Sequence, residues 1–199
     1  MITIGIVTRI DKTENNDVYV CNKKIVDYLI SKNVRIIPLI TYDISLVSMC
    51  DGFILHGGDF KTIDFLIIKY AYERNLPLLG ICLGMQSIGE YFGGKIVKAF
   101  NHYSKDMYVH DMIIDRSSKL FEILKIENMQ VNSRHKDKLI DTNLKVSAYS
   151  SDGVIEAVED GSKKFFIGVQ WHPESLITYN VLAKKLLDSF IKSCKEDKS

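Results

Sequence analysis

The sequence lacks the marks of several large protein classes. No apolar stretch approaches the roughly 18 residues of a membrane span, so no membrane role is expected. Lys and Arg total 26 against 25 Asp and Glu, a formal net charge of +1. There is therefore no broad basic field to gather nucleic acid, and no acidic tail. Cysteine is sparse: Cys21, Cys50, Cys82 and Cys194 are the four, and they have no framework spacing. With no secretory pattern at the N-terminus, they read as free thiols in a reducing cytoplasm. The Cys and His spacing of a zinc site is missing, so no metal and no cofactor are expected. Repeats, linkers and low-complexity segments are missing as well. A chain of 199 residues then reads as one domain over 1–199, long enough to bury a substantial core.

What is present alternates. Apolar runs at 2–8, 34–40, 52–56 and 76–81 predict strands, and the patterns at 18–32 and 64–74 predict helices. In the 18–32 pattern, Val18, Cys21, Ile25, Tyr28 and Leu29 fall on one face. Alternation with short connections implies a parallel sheet with right-handed crossovers. The second half differs. Strand patterns at 107–114, 144–149, 154–159 and 163–170, with turns at Ser151-Asp152-Gly153 and Asp160-Gly161, predict antiparallel additions. Ser175 is a candidate N-cap for a final helix over 176–192, and the tail at 195–199 is expected to fray. The fold class is therefore α/β: a doubly wound, mostly parallel sheet with antiparallel additions in the C-terminal half.

Two motifs carry chemistry. In Gly80-Ile81-Cys82-Leu83-Gly84-Met85-Gln86, a cysteine stands between glycines where a predicted strand passes into a helix. That is the arrangement of a nucleophile elbow, with the sulfur at a helix N-terminus where the dipole favours thiolate. A lone cysteine after a core strand is more often structural. The second motif reverses those odds. Gly168-Val169-Gln170-Trp171-His172-Pro173-Glu174 offers an imidazole and a carboxylate two residues apart, on one side if the strand continues. Glu174 would then orient His172, and His172 would serve Cys82 as base. In open parallel sheets ligands bind beyond the C-terminal strand ends. Thr8-Arg9, Gly57-Gly58 and Cys82 all follow predicted strands and are expected on one rim.

With both motifs in hand, the chain resembles the class I glutamine amidotransferase-like superfamily over nearly its whole length. Three segments resemble its γ-glutamyl hydrolase branch, the peptidase C26 or γ-glutamyl-γ-aminobutyrate hydrolase type. They are Val131-Asn132-Ser133-Arg134-His135, Asp152-Gly153-Val154-Ile155-Glu156-Ala157, and the strand and loop Asp51-Gly52-Phe53-Ile54-Leu55-His56-Gly57-Gly58-Asp59. The departures are Leu83 where hydrolases usually carry Arg, His135-Lys136-Asp137 in place of His-His-Gln, and a short loop at 59–62.

The resemblance implies a Cys82–His172–Glu174 triad acting on a small γ-glutamyl substrate through a glutamyl thioester. It assigns the oxyanion donors to the backbone of Gly58 and Leu83, and substrate contacts to Gln86, Asn132, Ser133, Arg134 and His135. Arg134, Lys136 and Lys138, with Arg9 and Lys61 on the same rim, suggest an anionic or nucleotide-linked leaving amine, against the alternative of a solvated basic loop. Three other functions stay open. One is a glutaminase subunit that passes ammonia to a partner synthetase, which Leu83 favours. Another is a binding module with a broken triad, which the intact three residues oppose. The last is a cysteine peptidase or chaperone of a similar α/β fold, which lacks Gln86 and the Val-Asn-Ser-x-His pattern.

Overall fold

A computed structural model describes residues 1–59 and 61–196. Phe60, in the expected short loop, and 197–199, in the expected frayed tail, lie outside the described residues.

In chain order the strands are β1 (Thr3–Val7), β2 (Arg9–Lys12), β3 (Asp17–Val20), β4 (Arg35–Leu39), β5 (Gly52–Leu55), β6 (Leu78–Ile81), β7 (Lys95–Lys98), β8 (His110–Ile114), β9 (Asn128–Val131), β10 (Asp137–Ile140), β11 (Lys145–Ser150), β12 (Ile155–Glu159) and β13 (Phe166–Val169). The helices are α1 (Lys23–Ser31), α2 (Ile44–Val47), α3 (Asp64–Glu73), α4 (Leu83–Tyr91), α5 (Lys119–Leu124) and α6 (Val181–Ser193), with a 3-10 turn at Pro173–Ser175.

Nine strands of the described residues form one sheet, ordered β4-β1-β5-β6-β13-β12-β11-β8-β9. From β4 to β13 the pairings are parallel; from β12 to β9 they are antiparallel. The expected doubly wound sheet with antiparallel additions is therefore the observed one. β13 is the seam, parallel to β6 and antiparallel to β12, so only part of the second half is antiparallel.

The sheet is buried on both faces, which is why β1, β5, β6 and β13 read as unbroken apolar runs. On one side Ile4, Ile6, Ile167 and Val169 pack with Ile25, Leu29, Leu186 and Phe190. On the other Val7, Phe53, Leu55 and Phe166 pack with Ile67, Ile68, Met85 and Ile88. Pro38, which cannot donate to a ladder, sits in β4 at the sheet's edge.

Three expectations need correction. Residues 18–20 are not helical: β2 and β3 make a hairpin, and Val18 is exposed. The helix starts at Lys23, where the Asn22 side chain accepts from the amides of Lys24 and Ile25, and a β-branched, aromatic Val18-Tyr19-Val20 favours strand before that cap. The final helix starts at Val181, capped by Asn180 rather than Ser175. Lastly, β13 ends at Val169, so His172 and Glu174 lie on the 3-10 turn and its entry, not on a strand. None of the four cysteines is joined in a disulfide. No helix among the described residues is long and apolar enough to cross a membrane.

Candidate active site

Strand order brings the two motifs together. β6 and β13 are adjacent and parallel, with Ile81 opposite Val169. The Cys82 amide donates to the Val169 carbonyl at 2.8 Å, so Cys82 and the segment leading to His172 leave the sheet at the same edge.

Cys82 occupies φ 53°, ψ −106°, a left-handed conformation that a side chain adopts only when its surroundings force it. The force comes from close packing beneath the turn. A Cβ at Gly84 would lie 1.9 Å from the Leu55 carbonyl oxygen, so the first turn of α4 rests directly on the end of β5. A Cβ at Gly80 would meet the Gly84 backbone at 2.8 Å. These two glycines let a strand turn straight into a helix, and the elbow read from the sequence is present.

His172 lies between Cys82 and Glu174. Its Nδ1 is 2.7 Å from Glu174 Oε1, and the ring stands beside Cys82, whose side chain favours its charged form. Burial opposes a charge on His172, but the Glu174 carboxylate, the Cys82 side chain and the bond to Glu174 outweigh it and push its pKa up to about 10. Burial would raise the Glu174 carboxyl; the His172 charge and hydrogen bond win and hold it below its usual value. Asn22 Nδ2 also donates to Glu174 Oε1, at 3.3 Å. An imidazole so placed, one nitrogen on a buried carboxylate and the other facing a thiol, can take up and return a proton without reorienting.

Gly57 and Gly58 follow β5 and face the same point. A Cβ on Gly57 would lie 2.8 Å from His172 Cε1 and 3.4 Å from Cys82 Cβ. Gly58 packs on the aliphatic part of Arg9. Leu83 opens α4, so its N–H has no intrahelical carbonyl to serve and projects at the helix N-terminus. Beside Cys82 runs a cleft of about 300 Å³, lined by Gly58, Asp59, Leu83, Gln86, Arg134, His135 and their neighbours Tyr103, Lys136 and Asp137. A larger groove of about 470 Å³ between α5 and α6 shares no residue with it.

The other expected site residues divide. Gln86 lines the cleft, and its Nε2 donates to the Asp137 carbonyl at 2.9 Å and to Gln170 Oε1 at 3.1 Å. Arg134 reaches the cleft from the surface, with Nη1 donating to Ser175 Oγ at 3.1 Å. His135 lines the cleft yet is buried. Its Nδ1 donates to the Asp137 carbonyl at 2.9 Å, and burial brings its pKa down to about 4. Asn132 and Ser133 are fully buried and are not part of the lining. Asn132 grips the His172 main chain from both sides: its Nδ2 donates to the His172 carbonyl at 2.9 Å, and its Oδ1 accepts from the His172 amide at 2.8 Å. Ser133 Oγ donates to the His102 carbonyl at 2.5 Å.

Two of the cations expected on the rim are not free there. Arg9 is 1% exposed. Its Nη1 pairs with Asp64 at 2.6 Å, and its Nε donates to the His56 carbonyl at 2.9 Å. Asp64 Oδ1 accepts in turn from Ser87 Oγ on α4 at 2.9 Å. A buried ion pair thus braces the Gly57-Gly58 loop against α4. Lys61 pairs with Glu90. The sequence offered Arg9 only as a charge following a strand; neither the brace nor the Asn132 grip had a local signal.

A model of the family described as Peptidase C26 matches residues 59–174. Anthranilate synthase component 2 of Cyanophora paradoxa is 33% identical over 153 residues, covering 73% of this chain and 73% of that protein. Gamma-glutamyl-gamma-aminobutyrate hydrolase of Escherichia coli (strain K12) is 29% identical over 150 residues, covering 66% of this chain and 59% of that protein. Among solved structures, a glutamine amido transferase from Methylobacillus flagellatus superposes with a TM-score of 0.70 at 13% identity, over 96% of this chain and 94% of that one.

Proposed function

From a chain that belongs to the Peptidase C26 family, and is a glutamine-amidotransferase-like enzyme of amide hydrolysis, we propose a specific reaction: cleavage of the γ-glutamyl amide bond of a small γ-glutamyl amine. The observation that carries the proposal is the run Cys82–His172–Glu174 at the edge of a charged cleft, with a carboxylate 2.7 Å from the imidazole. The similarity to a γ-glutamyl-γ-aminobutyrate hydrolase supports the choice of acyl group.

The thiolate of Cys82 attacks the γ-carbonyl carbon, and the carbonyl π electrons move onto oxygen. The amides of Gly58 and Leu83 meet that oxyanion; such a donor typically lowers a barrier by about 3 kcal/mol. His172 Nε2–H protonates the departing amine as the tetrahedral centre collapses to a glutamyl thioester. Nε2, now free, removes a proton from water, which attacks the thioester. Glutamate leaves and the thiolate returns. Glu174 holds His172 by Nδ1 throughout, and Asn132 fixes the backbone that carries the ring.

The cleft's charges suit the acyl half of the substrate. Asp59 supplies a carboxylate for the α-ammonium, and Arg134 and Lys136 supply cations for the α-carboxylate. With Arg9 and Lys61 engaged elsewhere, little cationic surface is left for a polyanionic leaving group. An amine of low charge is the better fit than the nucleotide-linked one expected from sequence.

A second reading, a glutaminase that delivers ammonia to a partner synthetase, is favoured by Leu83 and by the 33% identity to anthranilate synthase component 2. Mass spectrometry after incubation of the purified chain with a panel of γ-glutamyl amines, glutamine included, separates the two. Release of glutamate and free amine, absent in Cys82→Ser, is expected. Turnover of glutamine alone would overturn the hydrolase in favour of the glutaminase, and turnover of nothing would overturn it outright.

A further inference from the structure

Three of the chain's five histidines converge on one buried carboxylate beside the active site. Glu156, at the start of β12, is 0% exposed. His110 Nε2 lies 3.1 Å from its Oε1, and His135 Nε2 lies 3.8 Å from the same oxygen. The His102 ring packs on both other imidazoles, with centroids 5.0 Å from His110 and 4.9 Å from His135. One ligand-capable atom from each of His102, His110 and Glu156 lies within 4.8 Å of the others.

The hydrogen bonding is unusual in what it leaves over. His102 has Nε2 on Asp152 Oδ2 at 2.9 Å, and its Nδ1 is buried with no protein partner. His135 has Nδ1 on the Asp137 carbonyl at 2.9 Å, and its Nε2 is buried with no hydrogen bond. Glu156 Oε2 is likewise buried with no partner. Buried polar atoms without partners are uncommon, and three in one cluster call for a common cause. In each of these two imidazoles one nitrogen is held by an oxygen and the other is free, and His102 is the one within ligand reach of His110 and Glu156. One nitrogen held and the other free is the state of a metal-bound histidine, whose second nitrogen donates to a carboxylate or a backbone carbonyl.

The geometry points to a divalent transition-metal site of the zinc class, with His102 Nδ1, His110 Nε2 and the Glu156 carboxylate as ligands and His135 packed beside them. Two imidazoles and a carboxylate form a donor set that suits such an ion, with a fourth position left to water. Tetrahedral bonds of about 2.0–2.1 Å set ligand atoms about 3.3 Å apart; His110 Nε2 and Glu156 Oε1, at 3.1 Å, already fit, and His102 closes in from within 4.8 Å. Binding displaces the proton shared between His110 and Glu156 to solvent. The His110 side chain is 14% exposed, which gives an ion a route in. The expectation of no metal rested on local spacing, and here the ligands come from separate segments. The site also touches the chemistry. The His102 carbonyl accepts from Ser133 Oγ, next to Asn132, so an ion on His102 would stiffen the segment that holds the His172 main chain.

The test uses the full chain as Cys82→Ala, so that a thiolate cannot supply the binding, freed of metal with a chelator. Calorimetric titration with Zn²⁺ is expected to give one equivalent per chain, and Co²⁺ the visible bands of a four-coordinate ion. Glu156→Gln should weaken Zn²⁺ binding by more than about 100-fold, and Asp152→Asn by about 10–100-fold through loss of the His102 support. Asp152 has a side chain 60% exposed, so its variant keeps the test informative should Glu156→Gln fail to fold. Absence of stoichiometric binding in Cys82→Ala would overturn the assignment. So would an affinity that Asp152→Asn leaves unchanged. Neither readout depends on amide hydrolysis.

Discussion

Two buried glutamates receive imidazoles in this fold; against the cost of burial each raises the histidine it bonds, His172 on Glu174 and His110 on Glu156, but their surroundings differ. Glu174 faces one histidine and, through it, a thiol; that histidine is pushed up to about pKa 10. Glu156 is surrounded by three histidines. There burial and the charges of His102, His110 and His172 bring His135 down to about 4, although its bond to Asp137 pulls the other way. The charge of one carboxylate suffices for one imidazolium and cannot support three in a desolvated space. The first grouping holds one raised imidazole; the second holds a raised His110 beside a lowered His135. Local stoichiometry, rather than residue type, separates them.

The largest effect comes from removing the thiol. Cys82→Ser should lower kcat/KM by about 10⁴-fold or more, measured as glutamate release. An NMR titration of the same variant should find the His172 pKa reduced, since the Cys82 side chain helps to raise it. Next is Glu174→Gln, which keeps the shape but removes the charge. Its kcat should fall by on the order of 10³–10⁴-fold, and the His172 pKa should drop well below 10, since burial then opposes its charge without the carboxylate. A His172 still near 10 would erase the contrast between the two glutamates.

Asn132→Ala is a milder break. It strips both hydrogen bonds from the His172 main chain, at about 1–3 kcal/mol of stability per buried group left unpaired. It should lower kcat by about 10²-fold through misplacement of the ring, with little change in KM. A change confined to KM would instead place Asn132 at the substrate.

The smallest effect is on stability against pH. His172 is held above its unfolded value, so its share of stability is full below about pH 6.5 and fades as pH rises through about 10. Glu174 is held below its own, so its share is present above about pH 4.5 and fades as pH falls through the folded value. Denaturant unfolding at pH 7 and pH 10 should show lower stability at the higher pH in the parent, and a shallower loss in Glu174→Gln.

Legibility in the sequence follows the same divide. The parallel half could be read because its strands are buried on both faces and alternate with helices. The elbow could be read because glycines flank Cys82 at a strand end. The His172–Glu174 pair was visible as residue types, but its geometry belongs to a 3-10 turn and not to a strand. The antiparallel half was harder. β7, β9 and β10 are four residues each, too short for a period to emerge. Val18 continued a helical spacing by chance, although Asn22 begins the helix. The histidine cluster had no sequence signature, because β8, the loop before it, the turn after β9 and β12 meet only in the folded sheet.

Cys82 also sits at a point of conflict between performance and durability. At φ 53° its backbone favours glycine, and the packing of Gly80 and Gly84 leaves it no other conformation. Backbone strain of this kind amounts to about 1–3 kcal/mol. Cys82→Gly should therefore melt at a higher temperature than Cys82→Ala, and should release no glutamate. Stability alone would favour glycine at this position, so the proposed nucleophile stands where its chemistry and the fold's stability pull apart.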